Sequence, residues 1–372
     1  MMHNAAVPPG IGCPVDDLDT PSLCIDLDVM EANVARMAAM CRRHGVAWRP
    51  HTKAMKTPEL ARRLIDAGAI GVTCAKLGEA EVMAAGGIRD ILIANQVVGP
   101  QKLRRLAELC RIADPIVAVD HEDQVRAAGE AMRAAGTRLR VLVEIDLGMN
   151  RAGVLPGEGA VRLGQAAAST PGIELAGIMG YEGHLLTIED QAEKGRAIGE
   201  AIGALVACCD DFIRAGLPCP IVSAGGTGSC TYTVACPGVT ELQAGGLIFM
   251  DAFYRHCCRV TAFDYALKLL CTVVSRPAPE RAIIDAGRKS VNAELHPPLV
   301  EGYEETVRVV RLSAEHGQLE LDEPARGLKI GDRLWLIPGY SDFTNVLHNE
   351  FVAIRRGRVE AVWPLTARGR LQ

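Results

Sequence analysis

The sequence predicts an α/β protein, a parallel (β/α)8 TIM-like barrel followed by a mostly β domain. Three observations lead there. Short runs rich in Val, Ile and Leu alternate with alanine-rich, helix-length segments about eight times before Leu247, the count of a closed barrel. The runs are continuously apolar, as in strands covered on both faces. After roughly Phe253 the texture changes to polar and apolar residues in alternation, the period of strands with one solvated face.

Residues 1–19 are rich in proline, glycine and aspartate and are expected to form an arm that joins the β domain. The barrel is expected over residues 20–255. Ser22 to Asp26 reads as its first strand and Asp28 to Arg43 as an amphipathic helix ending at His44-Gly45. A short apolar run, Val46 to Trp48, comes next, and a helix opens at Thr57-Pro58, with Thr57 as cap and Pro58 at the first helical position. Further strands are expected at Ile70 to Thr73, Ile91 to Ile93, Ile116 to Val119, Leu139 to Ile145, Leu175 to Met179 and Ile221 to Ser223. The helices between them are expected at Leu77 to Ala85, Gln101 to Ile112, Asp123 to Ala134, Gly159 to Ala168 and Ile188 to Ala215. Residues 256–372 are expected to be β, with strands at Tyr265 to Ser275, Ala282 to Ile284, Val307 to Leu312, Arg333 to Ile337 and Phe351 to Trp363. Arg355-Arg356-Gly357-Arg358 reads as a hairpin turn in the last of these.

Composition excludes several classes. A formal charge of -5 over 372 residues gives no footprint for nucleic acid or an anionic membrane, which leaves a small molecule as the expected partner. No apolar run approaches the roughly 18 residues of a membrane span, and residues 1–10 lack the basic start and apolar middle of a signal peptide. The 13 cysteines include no Cys-x-x-Cys and read as reduced thiols of a cytoplasmic protein.

Chemistry concentrates at the strand ends. Arg49-Pro50-His51-Thr52-Lys53 puts a lysine at a strand-to-helix turn, where partial desolvation makes the amine a nucleophile towards an aldehyde. Ser223-Ala224-Gly225-Gly226-Thr227-Gly228-Ser229 follows a strand directly, and such a loop lets backbone N–H groups and hydroxyls meet an anion. Gly245-Gly246 closes the next strand, so two adjacent late turns suit a phosphate. Arg151 in Asn150-Arg151-Ala152-Gly153, and Tyr181 and His184 in Tyr181-Glu182-Gly183-His184, sit at further strand ends. An amine, a phosphate cradle, an arginine and an aromatic ring together suit pyridoxal phosphate.

Arg49-Pro50-His51-Thr52-Lys53, Asn150-Arg151-x-Gly153, Gly225-Gly226-Thr227-Gly228 and Pro338-Gly339-Tyr340-Ser341-Asp342 resemble the D-threonine aldolase and D-serine dehydratase group, which includes 3-hydroxy-D-aspartate aldolases. The group has the alanine racemase-like fold of type III pyridoxal-phosphate enzymes, and the likeness runs from about Thr20 to Arg370. It implies Lys53 as the Schiff-base lysine and proton shuttle, Arg151 at the cofactor's ring oxygen and Tyr181 against the ring. Gln243 would stand near the pyridine nitrogen, where the racemases carry arginine. His51, Ser223, Gly225, Gly226, Thr227, Gly228, Gly245 and Gly246 would complete the cofactor site. A homodimer is implied too, with active sites at the interface.

One motif departs from the group. Its aldolases and dehydratases carry His-x-Asp or His-x-Cys around a divalent metal that polarises the substrate's β-hydroxyl; here the triplet is Tyr340-Ser341-Asp342. Asp342 is the only ligand of the expected type left at that motif, so manganese or zinc is expected to be held weakly or not at all. The expected activity is that of a lyase on a D-configured β-hydroxy amino acid, by retro-aldol cleavage or elimination, with Tyr340, Asp342 or His184 serving the β-hydroxyl. The alternative is a racemase or epimerase with Lys53 and Tyr340 as opposed bases.

Overall fold

The computed structural model describes residues 10–372; the first nine residues of the expected arm lie outside the described residues. The chain divides into two compact units. One comprises residues 35–245 and 369–372, and the other, among the described residues, 10–34 and 246–368.

β1 (Ser22–Asp26) and α1 (Leu27–His44) come first. The barrel then follows as β2 (Ala47–Trp48), α2 (Pro58–Asp66), β3 (Val72–Cys74), α3 (Leu77–Ala85), β4 (Asp90–Ile93), α4 (Pro100–Leu109), β5 (Asp114–Val119), α5 (Glu122–Ala135), β6 (Leu139–Ile145), α6 (Glu158–Ser169), β7 (Ile173–Gly180), α7 (Gln191–Arg214), β8 (Ile221–Ala224), α8 (Cys230–Thr233) and β9 (Glu241–Leu242). The eight strands β2 to β9 are parallel, in the order β2-β9-β8-β7-β6-β5-β4-β3. A parallel bridge between His51 and Thr73 joins the two ends: Thr73 N–H donates to the Pro50 carbonyl at 2.9 Å and Thr52 N–H to the Thr73 carbonyl at 2.7 Å. The barrel is therefore closed immediately before Lys53. Its interior is filled by side chains, with Leu92, Ile116, Ala118, Leu142, Ala176 and Met179 packed together.

At the strands' N-terminal end, charge replaces apolar filling. Arg49, 2% exposed, donates from Nε to Glu241 at 3.0 Å and from Nη1 to Asp90 at 2.8 Å. Arg140 meets Asp90 at 3.0 Å and Asp114 at 2.9 Å. This belt ties β4, β5, β6 and β9 to the residue that follows β2, and leaves the opposite rim for chemistry.

The other unit is a nine-stranded sheet. It contains β1, β10 (Leu267–Ala278), β11 (Arg281–Ile284), β12 (Leu299–Val300), β13 (Val307–Leu312), β14 (Gly317–Leu321), β15 (Arg333–Ile337), β16 (Glu350–Arg355) and β17 (Arg358–Pro364). α9 (Ser341–Asn345) lies between β15 and β16. Arg356 and Gly357, with φ of 50° and 73°, make the mirror-image turn that a tight hairpin needs.

Three expectations need correction. β1 is no barrel strand: it pairs antiparallel with β10 and parallel with β16, because a local strand-then-helix pattern carries no information about which sheet accepts the strand. The units also part at Gly246 rather than near residue 255, and the last four residues return to the barrel unit, where Gln372 accepts the Gly78 N–H at 2.8 Å. Thr57 does stand at the helix start, but its hydroxyl bonds the Glu59 carboxylate and caps no backbone N–H.

Candidate cofactor site

Lys53 lies in the tight turn Thr52 to Lys56, which is closed by Met55 N–H and Lys56 N–H donating to the Thr52 carbonyl at 3.0 and 2.9 Å. Lys56 adopts φ 46°, unusual for a side chain with a Cβ, and its buried ammonium pairs with the buried Glu79 of α3. Glu79 also accepts the Ala75 N–H at 2.8 Å, so the ion pair fastens the lysine turn to the end of β3. Lys53 is half-buried, and its own N–H points at His51 Nδ1 at 3.3 Å.

His51 shows which groups share this rim. Its pKa is held well below 6.5, first by burial and then by the positive charges of Lys53, Lys56 and Arg151, against a hydrogen bond to the Thr73 backbone. A neutral ring whose Nδ1 accepts a backbone N–H carries its proton on Nε2. Lys53 and Arg151, one after β2 and the other after β6, thus act on a single imidazole. Arg151 also stands 6.0 Å from the centre of the Tyr181 ring and offsets part of the burial that raises the pKa of Glu144, a carboxylate inside β6 that accepts from Gln96. Glu144 and Gln96 escaped the sequence reading. Their one signal was a carboxylate within the apolar run of β6.

The glycine turn after β8 lies beside Tyr181. Gly225 has φ 76°, and a Cβ there would come within 2.4 Å of Leu242 Cδ1; one on Gly226 would come within 3.0 Å of the Tyr181 ring. Gly226 N–H is already directed at Ser229 Oγ, 3.2 Å away. Thr227 is 3% exposed and its hydroxyl has no partner. Buried hydroxyls are rarely left so, and this one fits a bound acceptor such as a phosphate oxygen. Gln243 donates to Ser223 Oγ at 2.9 Å, both being buried. Gly245 has a packing explanation, since a Cβ there would lie 2.1 Å from the His51 carbonyl. Gly246 begins a short 3-10 turn, Gly246–Ile248, in the second unit. His184 is exposed, its ring near Gly148 on the loop that carries Arg151.

These residues fit pyridoxal phosphate: an amine on a strand-end turn, an unpartnered buried hydroxyl in a glycine turn, and an aromatic ring beside that turn. The usual metal of the group is not matched in the same way. Tyr340 and Asp342 belong to the second unit, where Tyr340 Oη donates to Asp342 Oδ2 at 3.0 Å. Among the described residues no three His, Cys, Asp or Glu side chains converge as a ligand set.

Comparison with known proteins agrees with the architecture. The family described as alanine racemase, N-terminal domain, matches residues 25–252, and a putative serine dehydratase domain matches residues 266–354. A D-threonine aldolase of an Arthrobacter species is 39% identical over 99% of this chain and 98% of its own length. A 3-hydroxy-D-aspartate aldolase of Paracoccus denitrificans is 35% identical over 96% and 94%. The crystal structure of D-threonine aldolase from Filomicrobium marinum superposes with a TM-score of 0.94 at 37% identity, covering 98% of this chain and all of that one. The chain therefore belongs to the alanine racemase N-terminal domain family, in the branch that carries a serine dehydratase-type C-terminal domain.

Proposed function

We propose that the protein is a pyridoxal-phosphate-dependent lyase that cleaves a D-configured β-hydroxy amino acid to glycine and an aldehyde. The observation that carries the chemistry is the buried Thr227 hydroxyl without a partner, in a glycine turn on the same barrel as the Lys53 turn. Retro-aldol cleavage is preferred to elimination because both long-matching curated relatives named above are aldolases.

The bound cofactor supplies an aldehyde for amine capture and a ring that accepts electron density from the substrate's Cα. The chain's residues do the rest. Lys53 holds the cofactor through its ε-nitrogen and then carries the proton that Cα takes up. Thr227 and the turn around it bind the phosphate, Tyr181 fixes the ring face, and Arg151 meets the ring oxygen. Gln243, a neutral side chain, gives the pyridine nitrogen no strong acid partner. His51 stays uncharged, so it adds no third positive charge beside Lys53 and Arg151. The proposed assembly is a cytoplasmic homodimer; 13 cysteines, none of them in a disulfide, support a reducing compartment.

The test is incubation of the purified holoenzyme with D-threonine, D-3-hydroxyaspartate and D-serine. Glycine plus the matching aldehyde is expected from at least one of the first two. Configuration scrambling with deuterium entry at Cα and no fragmentation would make the protein a racemase and refute the reading. Lys53→Ala is expected to remove the visible absorbance of lysine-bound cofactor along with activity.

A further inference from the structure

The segment that follows β7 lies along the glycine turn that follows β8, and both belong to the barrel unit. The two strands pair in parallel as far as Met179 and Ser223, and beyond that register side chains join the two segments. A Cβ on Gly226 would come within 3.0 Å of Tyr181 Cε2, and one on Gly183 within 2.4 Å of Tyr181 Cε1, so glycine backbone meets both edges of the tyrosine ring. A Cβ on Gly228 would come within 2.9 Å of Leu186 Cδ1. Between Tyr181 and Leu186 in the chain stands Glu182, fully buried, whose Oε1 accepts the hydroxyl of Thr233.

Thr233 ends α8 and packs on the turn that precedes it. A Cβ on Gly225 would come within 3.0 Å of its Cγ2. Thr233 N–H donates to the Ser229 carbonyl at 3.0 Å, and Ser229 N–H donates to the Gly226 carbonyl at 3.2 Å. Glu182 therefore reaches the glycine turn from behind, through one hydrogen bond and one short helix, while its neighbour Tyr181 touches the same turn from the front. Stability alone does not account for a carboxyl group in this place. Glu182 Oε2 is buried without a hydrogen-bond partner, and an oxygen left so costs the fold free energy that an apolar pair of similar volume would not.

We propose that Glu182 is a positioning residue of the cofactor site: through Thr233 it sets the glycine turn against the Tyr181 ring, and so fixes the spacing between the group that meets the cofactor's phosphate and the group that meets its ring. The inference rests on the pyridoxal-phosphate reading of this site. In that reading Thr227 and Tyr181 touch the cofactor, and Glu182 acts on it only through the backbone that carries them. The frame matters because a misplacement of about 1 Å, caused far from the chemistry, can lower a rate about 10²-fold.

The test combines Glu182→Leu with Thr233→Val, which removes both polar partners together and leaves no orphaned hydroxyl. Without cofactor, the urea midpoint of this double variant is expected to be unchanged or raised. With cofactor, the dissociation constant for pyridoxal phosphate is expected to rise about tenfold and kcat to fall by about 10- to 100-fold, with KM moving less. Thr233→Val alone is expected to weaken cofactor binding as much as the double change, since the two residues act as one unit. Glu182→Gln keeps an acceptor for Thr233 and is expected to bind the cofactor as the wild type does. A lower midpoint without cofactor, together with unchanged affinity and kcat, would make the pair merely structural and overturn the inference while the cofactor reading stands. A wild-type protein that shows no visible absorbance of lysine-bound cofactor on titration with pyridoxal phosphate would refute that reading and the inference with it.

Discussion

Replacing Thr227 with valine isolates one atom of the candidate site, because the two side chains have nearly the same shape. In the structure the Thr227 hydroxyl is buried and makes no hydrogen bond, so the protein without cofactor loses nothing when it is removed. An unmet buried polar group costs about 1–3 kcal/mol, and Thr227→Val should recover part of that, raising the denaturation midpoint of the apoprotein. With cofactor bound the sign reverses. A hydrogen bond to a phosphate dianion contributes about 1.5–3 kcal/mol, so its loss should weaken cofactor binding by about 10- to 150-fold at 1.4 kcal/mol per decade. Fluorescence titration of the apoprotein with pyridoxal phosphate reads the affinity, and urea unfolding without cofactor reads the stability. Unchanged affinity would refute the assignment of this turn as the phosphate cradle. A fall in apoprotein stability would show that the hydroxyl has a partner inside the protein.

Lys56→Met should leave the Glu79 carboxylate buried and uncompensated, destabilising the barrel unit by about 3–5 kcal/mol, whereas the double change with Glu79→Leu should recover much of it; urea midpoints of the three variants check this. Asp251, pushed up to about 7 from 3.8, chiefly by burial, is protonated in the folded protein over a range where the unfolded chain is ionised. Its contribution is fully present below about pH 4 and is lost as pH rises to about 7, so Asp251→Asn should flatten that part of the stability curve; equal slopes in both proteins would contradict it. His51 has the opposite sign. Its ring stays neutral as pH falls below 6.5, where the unfolded ring takes up a proton, so its contribution is complete above pH 6.5 and declines below it. An NMR titration showing an ordinary His51 pKa would overturn the clustering of charge around it.

Local periodicity made most of the fold legible. β6, β13, β15 and α3 occupy the expected residues because an apolar run bounded by turn residues, or an alanine-rich stretch with few breakers, restricts the backbone before any distant contact forms. The hairpin at Arg356-Gly357 was equally plain, since few residue pairs tolerate two positive φ values. The lysine turn and the glycine turn were visible for a related reason: their chemistry is written in adjacent residues.

What the sequence determined by itself, then, was the succession of elements, the amine and glycine turns that suit pyridoxal phosphate, and the Tyr340-Ser341-Asp342 triplet. Tertiary structure alone decided that β1 joins β10 and β16, that His51 and Thr73 close the barrel, that Lys56 pairs with Glu79, and that Asp251 fastens the backbone of Ser341. Each of these joins residues about 20 to more than 300 positions apart. Their pairing depends on which buried polar groups find partners once the chain is packed, a condition that no window of neighbouring residues contains.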